Sequence, residues 1–275
     1  MDSAGDLPIG WEEEYQIDII PINIHFRETR YLQGVDLTNE DFYHLVDTNR
    51  IIPKTSQHTP QQFIDFYRKV AQLGETILSM HITQHLSGTY ESAVIAAREV
   101  EGEYNVIPFD SGCGSAVLGY MCREARKIER AGAILEKIME RLNFIRQNIN
   151  IVLTLNTLDY ARMSGRVKTL QAALASILDV KPIIILKDGV LDMTDRVRTR
   201  QRAVQRILDE MVTRVGNRLV NVAVVNAHDP KGGEMLLKLV RSMLNCNEII
   251  STELSVAVAA NLGPGTLGIV AYPVE

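Results

Sequence analysis

Thr76-Ile77-Leu78-Ser79-Met80 runs through a short polar segment into His85-Leu86-Ser87-Gly88-Thr89-Tyr90-Glu91-Ser92-Ala93, and this passage decides the fold. The first five residues are short and mostly apolar and read as a buried strand. Ser92-Ala93-Val94-Ile95-Ala96-Ala97-Arg98-Glu99-Val100 is rich in alanine and reads as a helix. Ser87-Gly88-Thr89 therefore occupies a strand-to-helix turn. Free backbone N–H groups at a helix start carry about half a positive charge. A carboxylate or phosphate fits there, the two hydroxyls add hydrogen bonds, and Gly88 permits close approach to the backbone. Taken alone, the turn reads first as an N-cap made by Ser87 or Thr89.

Outward from this passage, strands and helices alternate. Residues 1–10 are loop-like. Ile17 to Phe26 is apolar with Pro21 inside it, which predicts a strand at or near a sheet edge. Gly34-Val35-Asp36 is a turn, and Thr38 with Asp41 predicts a capped helix through Phe42, Leu45 and Val46. The proline-flanked polar segment 53–60 predicts a loop. Phe63, Ile64, Phe66, Tyr67 and Val70 recur at helical spacing. Asn105 to Phe109 predicts a strand ending in Asp110-Ser111-Gly112, and Ala116 to Ile145 a helical run broken at Gly132. This alternation argues an α/β unit on a parallel sheet over 1–147.

A second α/β domain is expected over 148–275. Ile151 to Leu155 predicts a strand, and Leu158 to Leu178 a helix, a turn at Ser164-Gly165 and a second helix. Pro182 to Leu186 and Val190 to Met193 flank Asp188-Gly189, a strong hairpin signal. Arg198 to Val215 and Gly232 to Leu244 predict helices. Val220 to Val225, Glu248 to Val258 and Ile269 to Tyr272 predict strands, with a tight turn at Gly263-Pro264-Gly265. Ligands in such sheets bind at the carboxyl ends of the strands. The loops at 2–6, 85–89 and 110–115, joined by 55–59, are the candidates.

The chain has 275 residues, 46% of them hydrophobic and 23% charged, as expected of an ordinary globular protein. Its net charge of −5 disfavours nucleic acid as the main partner. Cys113, Cys122 and Cys246 show no CxxC spacing, which suggests free thiols in a reducing compartment. No signal peptide opens the sequence and no apolar run approaches a membrane span, so a cytoplasmic protein without stable membrane insertion is expected.

Together these stretches resemble the DegV family, whose characterised members are fatty-acid-binding proteins. Asp2-Ser3 with Asp6-Leu7-Pro8, Thr55-Ser56-Gln57, Leu86-Ser87-Gly88-Thr89-Tyr90 and Asp110-Ser111 match family blocks in order. Gly165-Arg166-Val167, Lys181-Pro182, Asp188-Gly189, Arg198-Thr199-Arg200 and Gly263-Pro264-Gly265 continue the series. The resemblance implies two α/β domains with a long-chain fatty acid in a tunnel between them. Its carboxylate would be held by Thr55, Ser56, Ser87, Gly88 and Thr89, with Asp2, Ser3, Asp110 and Ser111 in adjoining loops. No cofactor is implied. The resemblance further implies that, in members that serve a fatty acid kinase, basic residues around Arg166, Arg198 and Arg200 help dock the kinase or its phosphate.

The sequence departs from the family at four points. Asn261 stands where the family has a His two residues before Gly-Pro-Gly. Asn can donate a hydrogen bond but carries no charge, so carboxylate binding should depend less on pH. The family has a strand before its opening Thr-Asp-Ser, and this sequence starts with Met1 at the Thr position; a first strand missing from an earlier gene start is the expectation. Ser164 replaces the first Gly of Gly-Gly-Arg-Ile, and His58 replaces a Pro.

His81 and His85 are four apart but straddle a strand–turn junction, so exposed or capping histidines are expected in place of a metal pair. Ser87 lacks the Gly-x-Ser-x-Gly elbow of a hydrolase nucleophile. Arg196 to Arg206 reads as a solvated helix start. A carrier without catalytic residues is the favoured function. The alternative is a phosphotransferase or hydrolase using Ser87, Asp110 and the arginines on a small phosphorylated ligand.

Overall fold

The computed structural model describes residues 1–167 and 180–275. A short helix, α1 (Trp11–Glu14), follows the opening loop. The predicted strand over Ile17–Phe26 is confined to β1 (Asn23–Phe26), because Pro21 removes a ladder donor just ahead of it. β1 is not an edge: β2 (Thr29–Leu32) and β3 (Lys54–Ser56) pair antiparallel on either side of it. β2 gave no sequence signal, and β3 lies inside the segment expected to be a loop. Three-residue ladders are too short to show a period. Between them, α2 (Asn39–Asn49) opens on the expected Thr38–Asp41 capping box. α3 (Pro60–Val70) opens on a second box, Thr59–Gln62, with proline in its first turn.

β4 (Thr76–His81), α4 (Thr89–Glu99) and β5 (Asn105–Asp110) form the expected unit, with the two strands parallel from Thr76↔Asn105 to His81↔Asp110. Ala93 and Ala96 of α4 pack against Phe63 and Tyr67 of α3. α5 (Ala116–Arg130) and α6 (Leu135–Asn148) are separated at Gly132, whose φ of 85° suits only glycine without strain.

The remaining strands build one six-stranded mixed sheet. They are β6 (Asn150–Thr154), β7 (Lys181–Lys187), β8 (Val190–Val197), β9 (Val220–Asn226), β10 (Cys246–Glu253) and β11 (Leu267–Pro273), in the order β10-β9-β11-β6-β7-β8. Only β10 and β9 run parallel. Asp188 and Gly189 both have positive φ, 51° and 75°, as a type I′ hairpin requires. The helices here are α7 (Asp159–Ser164), α8 (Arg200–Val215), α9 (Pro230–Met243) and α10 (Val256–Leu262). The second helix expected before Leu178 lies outside the described residues. The strand expected over Glu248–Val258 ends at Glu253, and the alanine-rich remainder turns into α10 from Ser255. An apolar run this short is ambiguous between strand and helix; alanine and the serine cap decide it.

The two halves share one core. Buried Met80, Phe109, Leu118 and Met121 cluster with Leu153, Ile184, Val225 and Val270. Arg123 of α5, 4% exposed, makes paired 2.6 Å bonds to Glu248 of β10 and lies over the Trp11 and Tyr120 rings. The edge of β4 away from β5 borders a groove lined by Phe66 and Tyr67 of α3 and by Cys122 and Ala125 of α5.

A candidate acyl site at the strand-to-helix turn

The loop that leaves β4 is anchored by a buried polar chain. Asp2 accepts the Ala4 N–H at 2.9 Å through one carboxylate oxygen. Its other oxygen accepts the Ile82 N–H at 2.8 Å and faces His81 Nδ1 at 3.2 Å. His81 Nε2 meets the Ser79 hydroxyl at 2.8 Å, which meets the Tyr67 hydroxyl at 2.9 Å. Burial opposes a charge on Asp2, but His81 and the Ile82 amide together hold its carboxyl below the ordinary range. Burial pushes the His81 pKa down. His81 is therefore a fully buried structural ring, contrary to the expectation of an exposed or capping histidine, whereas His85 is exposed. The deciding contact is with Asp2, 79 positions away, and no local pattern reports it.

Beyond this anchor the chain turns through Thr83–Gly88 into α4. The N-cap is Gly88, and no side chain caps the helix from that position. Ser87 Oγ lies 2.8 Å from Thr89 Oγ1 and accepts the Thr89 N–H at 3.3 Å. The Ser87 hydroxyl thus engages a second hydroxyl and no histidine. A Cβ on Gly88 would meet the Gln57 carboxamide, so glycine lets the 55–57 segment lie against the helix start. Gln57 Nε2 reaches Ser92 Oγ at 3.4 Å.

A cavity of about 80 Å³ opens at this turn. Its polar rim is formed by Asp2, Thr55, Ser87, Thr89, Arg166 and Asn261. Arg166 is half-buried, and burial pulls its pKa down. Its guanidinium donates to the Ser164 carbonyl at 2.7 Å, and among the described residues no carboxylate pairs with it. Asn261 Nδ2 donates to the Ala257 carbonyl at 2.7 Å, which leaves one N–H and the amide oxygen for other partners. Inward, Ile82, Leu86, Leu191, Val258 and Leu262 also line a second space of about 60 Å³. That space continues between Gly114 and Ser115 on one side and Leu153, Val225 and Val270 of the mixed sheet on the other. A hydroxyl-lined rim that carries the Arg166 guanidinium and the Asp2 carboxylate thus leads into an almost wholly apolar interior lined from both halves.

The other sequence-expected residues divide cleanly. Ser56 neighbours Thr55 on β3 and points away; its hydroxyl meets His25 Nε2 at 2.9 Å. Ser3 accepts the Ile22 N–H at 3.0 Å and is buried outside the cavity lining. Asp110 accepts the Gly112 N–H at 2.9 Å and lies 3.4 Å from Arg146, beside a separate polar cleft. Ser111 is bonded to Cys113. Arg200 pairs with Asp229 at 2.7 Å and Arg198 is exposed; neither lines the cavity. Ser164 in place of glycine leaves the local geometry intact, because Gly165 supplies the left-handed residue, with φ 68°, that ends α7. His58 is buried beside Phe63 and hydrogen-bonds the Pro21 carbonyl at 3.0 Å. Among the described residues, no group of His, Cys, Asp or Glu side chains is placed to hold a metal ion. None of the described helices is long and apolar enough to cross a membrane.

A family model described as "Uncharacterised protein, DegV family" matches residues 1–274. The chain belongs to the DegV family. DegV domain-containing proteins of Listeria innocua (lin2658) and Halalkalibacterium halodurans (BH3627) are each 28% identical to it. The alignments cover 98% of this chain in both cases, and 95% and 96% of the relatives. Among solved structures, a DegV family protein from Thermus thermophilus described as binding fatty acid superposes with a TM-score of 0.90 at 28% identity, covering 99% of this chain and 98% of the other. A stearic acid-binding protein from Eubacterium ventriosum gives 0.89 at 26% identity, over 99% and 96%. The DegV fatty acid binding protein of Bacillus subtilis gives 0.85 at 25%, over 99% and 97%.

Two features of this DegV site were not legible in advance. Arg166, expected at a docking surface, also lines the cavity rim. Asp6, in the opening Asp-Leu-Pro, is buried between the two halves.

Proposed function

We propose that this chain binds one long-chain fatty acid as its carboxylate, with the head group at Ser87, Thr89, Thr55, Asn261 and Arg166 and the chain in the apolar space behind them. The observation that carries this reading is the half-buried Arg166 guanidinium, which has no carboxylate partner among the described residues at the rim of an apolar cavity. A half-buried cation with no paired carboxylate among the described residues favours an anionic ligand. Each buried methylene adds about 0.8 kcal/mol. The solved DegV relatives described as fatty-acid-binding support the same ligand class. Residues 1–147 and 148–275 act as the two walls, and Gly88 with the Thr55-Ser56-Gln57 segment shapes the head-group end.

In this reading the protein is a cytoplasmic carrier and no residue of it performs chemistry. It presents the head group to a fatty acid kinase. A vestibule lined by Lys54, Met163 and Arg166 lies directly outside the rim, and the Arg198–Arg200 segment supplies further positive charge for the partner. Extraction of the purified protein under denaturing conditions followed by lipid mass spectrometry tests the ligand. One fatty acid near one equivalent is expected. No lipid, together with no uptake of added fatty acid, would overturn the reading.

A further inference from the structure

Asp6 is 2% exposed, and among the described residues no cation lies against it. One carboxylate oxygen accepts the Ser115 hydroxyl at 2.5 Å, and the other accepts the Ser255 backbone N–H at 2.8 Å. These partners belong to two elements that line the apolar cavity: the Ser115 loop through Gly114 and Ser115, and α10 through Val258 and Leu262. Ser255 is the N-cap of α10 and its own side chain makes no cap bond. Asp6, 249 positions away, accepts the N–H of the N-cap residue itself, the role that a Glu or Gln at N3 plays in a capping box.

Two further features tighten this node. Ser115 is a non-glycine residue with φ 60° and ψ −151°, a conformation that persists only where its surroundings hold it. Its N–H donates to the Ala4 carbonyl at 2.7 Å, so the opening loop fixes it from both sides. The Asp6 backbone lies directly on Gly119 of α5, where a Cβ would collide with the Asp6 carbonyl. The Leu7 carbonyl accepts the Thr252 hydroxyl at 3.2 Å.

We propose that Asp6 is the latch of the acyl cavity: its carboxylate ties the Ser115 loop to the start of α10, and a chain enters or leaves when that tie opens. The proposal rests on the fatty-acid reading for what passes through, but not for the latch itself. Spaces of about 80 and 60 Å³ are too small to pass a long chain while that tie holds.

The latch also has a pH dependence whose sign follows from its surroundings. Burial raises the Asp6 carboxyl to about 6 in spite of the bonds from Ser115 and Ser255, and the Glu253 carboxylate adds repulsion. Tyr43, facing it from α2, stays neutral because burial pushes its hydroxyl far up. An opened, hydrated Asp6 returns toward its ordinary value of 3.8. Opening therefore releases a proton and is favoured as the pH rises through 6. Linkage between these two values makes the open fraction about tenfold larger at pH 8 than at pH 5.

The test compares the full chain with Asp6→Asn and Asp6→Ala. The readouts are amide hydrogen exchange over Ser255–Leu262 and the stopped-flow release rate of a fluorescent polyene fatty acid. Asp6→Ala should raise both at all pH values. Asp6→Asn keeps an acceptor for Ser255 and a donor for Ser115 without charge, so its opening should not vary with pH and should lie about tenfold below the wild type near pH 5 and about a hundredfold below it near pH 8. Wild-type exchange in Asp6→Ala, or identical pH profiles for the wild type and Asp6→Asn, would overturn the latch. If Asp6→Ala fails to fold, the second comparison decides alone. If the wild type takes up no fatty acid, the ligand reading fails, and amide exchange, which needs no ligand, still decides the latch.

Discussion

Ser87 and Thr89 share a hydrogen bond between their hydroxyls, 2.8 Å apart, at the uncapped start of α4. Each hydroxyl has one proton. If Thr89 donates to Ser87, the Ser87 proton is free for an anion at the rim, and Thr89 reinforces it cooperatively. Ser87→Ala removes a donor to a charged acceptor, worth about 1.5–3 kcal/mol, or roughly 10- to 100-fold in fatty acid affinity. Thermal stability should change little because Ser87 is only partly buried. A titration with a fluorescent fatty acid beside a melting curve measures both.

Arg166 should matter for charge. Arg166→Gln keeps a donor but leaves the carboxylate uncompensated, and affinity for a fatty acid should drop at least tenfold. Affinity for the corresponding fatty alcohol should move far less. Equal losses for acid and alcohol would show that the guanidinium contributes packing alone.

Asn261 cannot titrate. Wild-type affinity should therefore vary little between about pH 6 and pH 8 on its account. Asn261→His introduces a ring that becomes cationic as the pH falls toward 6.5, and its carboxylate affinity should increase on acidification. The Asp6 latch changes opening rates in both proteins alike, so equilibrium titrations of the two across this range isolate residue 261.

Acid should weaken the fold through two buried rings. Burial depresses the pKa of both His58 and His81. Below about 6.5 the unfolded chain binds protons that the folded rings refuse, so stability is present above that value and falls as the pH drops. Asp6 works in the opposite direction over the same range, since its raised carboxyl favours the folded state at lower pH. His58→Gln removes one ring and leaves Asp6 untouched. Its melting temperature should fall less than that of the wild type between about pH 7.5 and 5.5. A steeper fall in the variant would reverse the sign assigned to His58.

What could be read from the sequence is what depends on local chemistry. The β4–α4 turn, the Thr38–Asp41 box, the break at Gly132 and the Asp188-Gly189 hairpin are each fixed by side chains within a few positions of one another. They emerged where expected, except that the helix after β4 starts from Gly88 and not from a side-chain cap by Ser87 or Thr89. The family blocks likewise marked Thr55, Ser87, Thr89 and Asn261, which do meet at one rim. Tertiary structure alone decided which equivalent polar residues face the cavity. Ser56 and Thr55 are neighbours on one strand, and the pleat sends them to opposite faces. Tertiary structure also decided the charges. His81 is buried by Asp2, Arg166 is drawn into the rim with no carboxylate partner among the described residues, and Asp6 is clamped between Ser115 and Ser255. Burial and ionisation are properties of the space around a group. That space is built by segments up to 249 positions apart, which no window of sequence contains.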